Sequence, residues 1–292
     1  MLAAVLLVGL SLAGGESAAA QVPALAFYRY EAERPLAPER SLVEETDAYS
    51  RYHLRYQSVS GQTVTAILQV PKGDGPFPAV MVQHGWGASK TVDYVDMPAR
   101  LLAGQGYVTL AIDAANHGER AGEGLPNDLF NLASVESRRA FVQTVIDLRR
   151  GVDYLQSLPE VAGDRIGYLG FSMGAIIGAV FCGVEERVRC STLVVGGGNL
   201  RARFNEGDPE VIAENEAIVE PCRYVGMIAP RPVLFINGKR DDVIGRESAE
   251  ALQNAAREPK RIVWYDSGHY DLPIAETLQE LGAFFAADLN SP

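Results

Sequence analysis

Cysteine, histidine and tryptophan are all scarce in this chain of 292 residues, with 3, 4 and 2 copies respectively. Three cysteines are too few for a disulfide scaffold, and Cys182, Cys190 and Cys222 lack the paired spacing with histidine that a zinc site needs. No metal and no cofactor is therefore expected. Positive charge is also in deficit: 26 Lys and Arg stand against 37 Asp and Glu, a formal net charge of −11. Nucleic acids and anionic membranes are held largely by Lys and Arg, so neither is an expected partner. There is no internal repeat, no low-complexity tract and no Pro/Ser/Gly-rich linker. With 47% apolar and 22% charged residues, the composition excludes disordered and fibrous classes and suits one globular domain over residues 21–292.

The longest apolar run, Leu2 to Ala13, is too short to span a bilayer as a helix. It is followed by Gly14-Gly15-Glu16-Ser17 and then Ala18-Ala19-Ala20. The segment reads as a secretory signal peptide over residues 1–20 with a small-residue cleavage site before Gln21, although it lacks the Lys or Arg that usually opens such segments. A secreted or periplasmic protein is expected, with no stable membrane insertion after cleavage. No cysteine follows the run, so a lipid anchor there is excluded.

From Tyr52 onward, short β-rich runs alternate with helical patterns. His53 to Val59 and Val64 to Val70 alternate apolar and polar residues about Ser60-Gly61-Gln62 and read as an antiparallel hairpin. Ala79 to Val82, Val108 to Ile112, Ile166 to Leu169, Leu193 to Val195, Val233 to Ile236 and Ile262 to Tyr265 are continuous apolar runs, as expected of parallel strands covered on both faces. Between Ser137 and Leu158, the residues Phe141, Val145, Leu148, Val152 and Leu155 recur at helical spacing, and Pro159 marks the end. The alternation implies an α/β fold with a mostly parallel central sheet, an N-terminal antiparallel hairpin and helices on both faces. Ligands are expected beyond the carboxyl ends of its strands.

Gly170-Phe171-Ser172-Met173-Gly174 is a G-x-S-x-G pentapeptide. In a chain with 29 glycines the pattern alone says little. Its setting says more: a strand runs into it and a helix-like stretch, Met173 to Cys182, leaves it. A sharp turn there lifts Ser172 above the sheet and brings strand and helix too close for a Cβ at Gly170 or Gly174. A serine hydroxyl is a poor nucleophile without a base and an orienting carboxylate. Gly238-Lys239-Arg240-Asp241 and Ser267-Gly268-His269 follow later strands and offer both, in the order Ser, Asp, His. On these motifs the sequence resembles the α/β-hydrolases, in particular dienelactone-hydrolase-like and prolyl-oligopeptidase-like serine esterases, over roughly residues 52–285.

The resemblance implies a triad of Ser172, Asp241 and His269, with Asp242 the neighbouring alternative for the acid. Asp266 and Asp271 flank His269, but near neighbours in sequence rarely reach the far imidazole nitrogen. It also implies an oxyanion hole made by the backbone N–H groups of Trp86, in the loop His84-Gly85-Trp86-Gly87, and of Met173. Two readings of the Trp86 ring stand open: it walls the acyl pocket and favours short acyl groups, or it packs under the loop. His84 reads as a loop brace and His53 as a strand residue. Asp113 to Gly118 matches the D-x-x-x-H-G segment of many relatives, with His117 a candidate substrate contact. Two polar excursions, Glu119 to Glu136 and Asn199 to Pro221, are each either a lid or a solvated loop.

The expected activity is cleavage of small carboxylic esters through an acyl-enzyme. Peptide or amide cleavage is the enzymatic alternative, although no propeller-sized segment precedes the fold in this sequence. A non-catalytic binding scaffold is the third reading, and the complete Ser, Asp and His set speaks against it. Relatives that open the dienelactone ring use Cys as nucleophile, and dehalogenating or epoxide-opening folds use Asp, so Ser172 argues against both. If any cysteines oxidise, Cys182 at the far end of the helix and Cys190 at the entry of the next strand are the nearest pair; otherwise all three stay reduced.

Overall fold

The structure, a computed structural model, describes residues 24–290 apart from 123, 125, 203 and 205, so the expected signal segment lies outside the described residues. Its strands are β1 (Glu39–Glu45), β2 (Tyr49–Gln57), β3 (Thr63–Pro71), β4 (Phe77–Gln83), β5 (Val108–Ile112), β6 (Val161–Phe171), β7 (Val188–Val194), β8 (Val233–Gly238) and β9 (Lys260–Tyr265). They form one sheet in the order β1-β2-β3-β5-β4-β6-β7-β8-β9. β1, β2, β3 and β5 pair antiparallel in succession, and from β5 onward every pairing is parallel. The expected hairpin is β2 with β3, one register step after another from Tyr49 opposite Pro71 to Gln57 opposite Thr63.

The helices are α1 (Asp93–Gly104), α2 (Val135–Ser157), α3 (Met173–Val184), α4 (Pro209–Val219), α5 (Arg246–Ala255) and α6 (Ile274–Leu289). Side-chain alternation along the parallel strands divides the interior into two cores. Ala79, Met81, Leu110, Tyr168 and Phe235 face α2, α3, α4 and α5. Val80, Val82, Leu169, Leu234 and Ile236 face α1 and α6. A strand buried on both sides favours apolar residues on both faces, which is why these runs read almost continuously, with Thr109, Ser191 and Thr192 as buried polar exceptions.

Elements without a clean periodicity were hidden. β1 is an exposed edge strand, Glu-Arg-Ser-Leu-Val-Glu-Glu, whose charges discourage pairing with another chain. α1 carries Pro98 in its interior, a residue that ordinarily ends a helix. α4 lies inside the second polar excursion, started by the Asp208 side chain accepting the Glu210 N–H and by Pro209 at the first helical position.

All three cysteines are free. Cys182 belongs to the core under α3 and Cys190 to the core under α1 and α6, so the sheet separates the two. The expectation that these two would be the favoured pair overlooked the alternation of β7, which turns the Cys190 side chain away from α3. Burial pushes the Cys182 thiol up to about 12.

Because β4 and β5 are parallel neighbours, the loops after them run side by side, and buried polar groups fasten one to the other. His84 Nδ1–H donates to Gly85 O, and its Nε2 accepts the Ala114 N–H at 3.0 Å. Asp113 accepts from the Lys90 N–H at 3.0 Å, from the Lys90 ammonium and from the Thr65 hydroxyl at 2.7 Å. Burial works against the Asp113 carboxylate, but these donors hold its pKa below the usual carboxylate range. Lys90 also reaches Glu119 at 2.6 Å, and the fully buried Arg120 pairs with Asp147 of α2 at 2.7 Å. The His117 ring lies 5.3 Å from that of His84, with Nδ1 on Ala115 O.

A Cβ on Gly174 would stand 2.4 Å from the Gln83 carbonyl oxygen, so Gly174→Ala must part α3 from β4. A loss of about 1–3 kcal/mol is expected, seen as a melting temperature lower by several degrees; an unshifted transition would show that the approach is not close. Burial also lowers the His84 pKa to about 4, against about 6.5 for a free imidazole. Below pH 6.5 the unfolded chain binds a proton that the folded one refuses. The stability is therefore complete above that pH and is lost as pH falls toward 4, by about 2 kcal/mol between pH 7 and 5. Denaturant midpoints across that range should fall less steeply for His84→Gln than for the wild type, and equal slopes would count against a neutral, buried His84.

Candidate functional site

Ser172 stands between β6 and α3 with φ 52° and ψ −113°, a left-handed backbone rarely taken by a residue with a side chain. The main chains around it explain why the strain is tolerated. A Cβ on Gly170 would lie 2.3 Å from Gly174 O, and one on Gly174 would meet Gln83 O, so strand, turn and helix touch backbone to backbone. The Ser172 N–H donates to Val194 O at 2.9 Å, and its carbonyl accepts from Ala175 and Ile176 at the start of α3.

Three strand ends bring the expected triad residues together. His269 Nε2 lies 3.0 Å from Ser172 Oγ, and His269 Nδ1 lies 2.8 Å from Asp241 Oδ2. The other Asp241 oxygen accepts the N–H groups of Val243 and Ile244 at 2.9 and 2.7 Å, which fixes the carboxylate in its own turn. Asp242 is exposed and makes no such contact; Asp266 pairs with Arg240, and Asp271 accepts the Gly268 N–H. A Cβ on Gly238 would lie 2.5 Å from Ser267 O and 2.6 Å from Gly268 O. The turns after β8 and β9 therefore touch, and this contact sets the spacing between acid and imidazole.

The loop after β4 passes over the nucleophile. A Cβ on Gly85 would come within 3.4 Å of Ser172 Cβ. Among the described residues, neither the Trp86 N–H nor the Met173 N–H meets an acceptor within the chain. The Trp86 ring does not pack under the loop: it is 63% exposed, and its indole N–H donates to Asn127 O at 3.0 Å. His117 is only 3% exposed, with its ring beside that of His84 and Nδ1 on Ala115 O, and its buried Nε2 meets no partner among the described residues.

The two polar excursions pack on each other. Phe130 stacks on Phe204 with centroids 6.3 Å apart, Asn215 of α4 donates to Leu132 O at 2.7 Å, and Leu129, Leu132, Ile212 and Ile218 are buried. They form a packed cap that Trp86 joins through Asn127. Tyr94 and Tyr270 were not legible as site residues. The Tyr94 hydroxyl accepts the Gly85 N–H at 3.0 Å, and the Tyr270 ring sits edge-on to His269, 87% exposed. Neither belongs to a motif; only the folded chain carries them to the rim. Among the described residues no cluster of three His, Cys, Asp or Glu could hold a metal ion, and no helix is long and apolar enough to cross a membrane.

The Bacillus subtilis protein YtaP is 25% identical over 272 residues, covering 82% of this chain and 89% of its own length. Acyl-coenzyme A thioesterase 3 of Mus musculus is also 25% identical, over 72% of this chain and 51% of its own length, so the chain spans about half of that relative. Among solved structures, acetyl xylan esterase 1 from Thermoanaerobacterium superposes with a TM-score of 0.78 at 20% identity, covering 94% of this chain and 93% of the other. A cold-adapted esterase from an Arctic intertidal metagenomic library does so with 0.65 at 21%, covering 85% and 99%. The family model of dienelactone hydrolases matches residues 64–269, which include every strand end that meets at Ser172, and the chain belongs to the dienelactone hydrolase family.

Proposed function

We propose that this member of the dienelactone hydrolase family, an ester- or thioester-cleaving hydrolase, acts on small carboxylic esters through an acyl-enzyme on Ser172. The observation that carries the reading is the unbroken hydrogen-bonded line from Ser172 Oγ through His269 to Asp241. His269 Nε2 takes the hydroxyl proton as Ser172 Oγ attacks the carbonyl carbon, and Asp241 holds the ring with Nδ1 protonated. The Trp86 and Met173 N–H groups donate to the resulting oxyanion. On collapse His269 returns the proton to the departing alcohol oxygen, leaving the acyl group on Ser172. A water molecule, deprotonated by His269, then releases the acid and restores the serine.

The exposed Trp86 ring, fixed through Asn127, stands as a wall beside the acyl position and favours short acyl groups. The rim carries Trp86, Tyr94 and Tyr270, a set of aromatic rings suited to an uncharged alcohol more than to the phosphates of coenzyme A, which call for Lys and Arg. His117 serves the loop and not the substrate. Residues 1–20 as an export signal would place this activity outside the cytoplasm.

Ser172→Ala, His269→Ala and Asp241→Asn should each lower kcat on p-nitrophenyl acetate by on the order of 10³-fold or more, without additive losses when combined. Melting temperatures should stay near the wild type. Asp242→Asn should be nearly silent. A fully active Ser172→Ala would remove the nucleophile from this reading, and an Asp242→Asn loss exceeding that of Asp241→Asn would move the acid by one residue. With the same wild-type protein, kcat/KM should fall from acetyl to octanoyl p-nitrophenyl esters and should exceed that for acetyl-coenzyme A and for a peptide anilide. A preference for either of the last two would replace the ester by a thioester or an amide as the substrate.

A further inference from the structure

Tyr94 stands on the first turn of α1, a helix that contributes nothing to the triad. Its ring packs edge-on against Phe171, the residue before the nucleophile, with centroids 5.4 Å apart, while 40% of the residue stays exposed. Its hydroxyl oxygen accepts the Gly85 N–H at 3.0 Å. A Cβ placed on Gly85 would lie 3.0 Å from that oxygen and 3.4 Å from Ser172 Cβ, so the phenol oxygen and the nucleophile border one small space under the loop that holds Trp86. Among the described residues the phenol proton has no acceptor. Accepting the Gly85 N–H polarises that O–H toward donation. Burial raises the phenol pKa, which keeps the proton in place.

Resting on the ester-hydrolase reading of Ser172, we propose that Tyr94 is a third oxyanion donor, its O–H contacting the carbonyl-derived oxygen beside the Trp86 and Met173 N–H groups. No proton is transferred in this step. The hydrogen bond strengthens as the carbonyl oxygen gains negative charge and weakens when the carbonyl re-forms, so it acts on the transition state more than on the bound ester. The competing account makes the hydroxyl a brace only, an acceptor that steadies Gly85.

Tyr94→Phe keeps the ring and removes the donor. On p-nitrophenyl acetate it should lower kcat on the order of 10²-fold with KM within about threefold of the wild type. Affinity for a trifluoromethyl ketone, which adds to the serine as an oxyanion, should fall in parallel. The two accounts separate with 3,5-difluorotyrosine incorporated at position 94, a phenol much more acidic than tyrosine's, whose ionisation, raised by the same burial, is followed by its ultraviolet absorbance to set the pH range. A donor is lost on ionisation, so kcat of that protein should drop over a pH range in which the wild type does not. A mere acceptor becomes stronger as phenolate, and an undiminished rate across that range overturns the proposal, as does a wild-type kcat in Tyr94→Phe. Ser172→Ala is measured alongside. If it remains active, the reading of Ser172 fails; if it is inactive while Tyr94→Phe is unimpaired, only the role of Tyr94 fails.

Discussion

Everything at the site depends on three main chains meeting without side chains between them. The end of β4, the turn after β6 and the first turn of α3 touch at the Gln83 carbonyl, Gly170 and Gly174, and a Cβ on either glycine would overlap a carbonyl. That contact forces Ser172 into a left-handed backbone, and the strain persists because the surroundings over-determine it. The Ser172 N–H is spent on Val194 and its carbonyl on α3, so neither end of the residue is free to relax. The side chain is then the one part of Ser172 not committed to the fold.

The parallel register extends this order outward. Neighbouring strands end at the same level, so their loops are neighbours too, and two kinds of contact lock them. Between β8 and β9 the lock is steric: at Gly238 the two turns touch, and Asp241 and His269 come within hydrogen-bond distance as a result. Between β4 and β5 it is polar, through His84, Lys90, Asp113 and Glu119. Buried ion pairs of this kind contribute little net stability, but losing one partner leaves a charge stranded, so they define geometry more than they strengthen the fold. A neutral His84 fits that role, since it can accept from Ala114 and donate to Gly85 at once.

Around this rigid centre, the rim is built from parts with fewer constraints. The excursion beyond β5 and the one carrying α4 bury their apolar residues on each other, and Trp86 is tied to them through its hydrogen bond to Asn127. Such a cap can change its lining without disturbing the elbow, which is how one scaffold serves different esters.

Much of the fold was legible because burial on both faces leaves a continuous apolar run and burial on one face leaves a period. β4 to β8, the β2–β3 hairpin and α2 follow from those patterns, and Ser172, Asp241 and His269 follow from their places after strands; β9 was expected to be covered on both faces as well, but it is the edge of the sheet and has no fully buried residue. β1 left no trace because it buries almost nothing, α1 because Pro98 interrupts its pattern, and α4 because its surroundings are acidic and polar. By itself the sequence determined the chemical types at the strand ends and the order in which they come, since both are local properties of the chain. Only the tertiary structure decided that Asp241 and not Asp242 meets the imidazole, that Cys182 and Cys190 lie on opposite faces of the sheet, and that Tyr94 borders the nucleophile. Those outcomes depend on side-chain direction and on approaches between segments far apart in the chain, which no local pattern encodes.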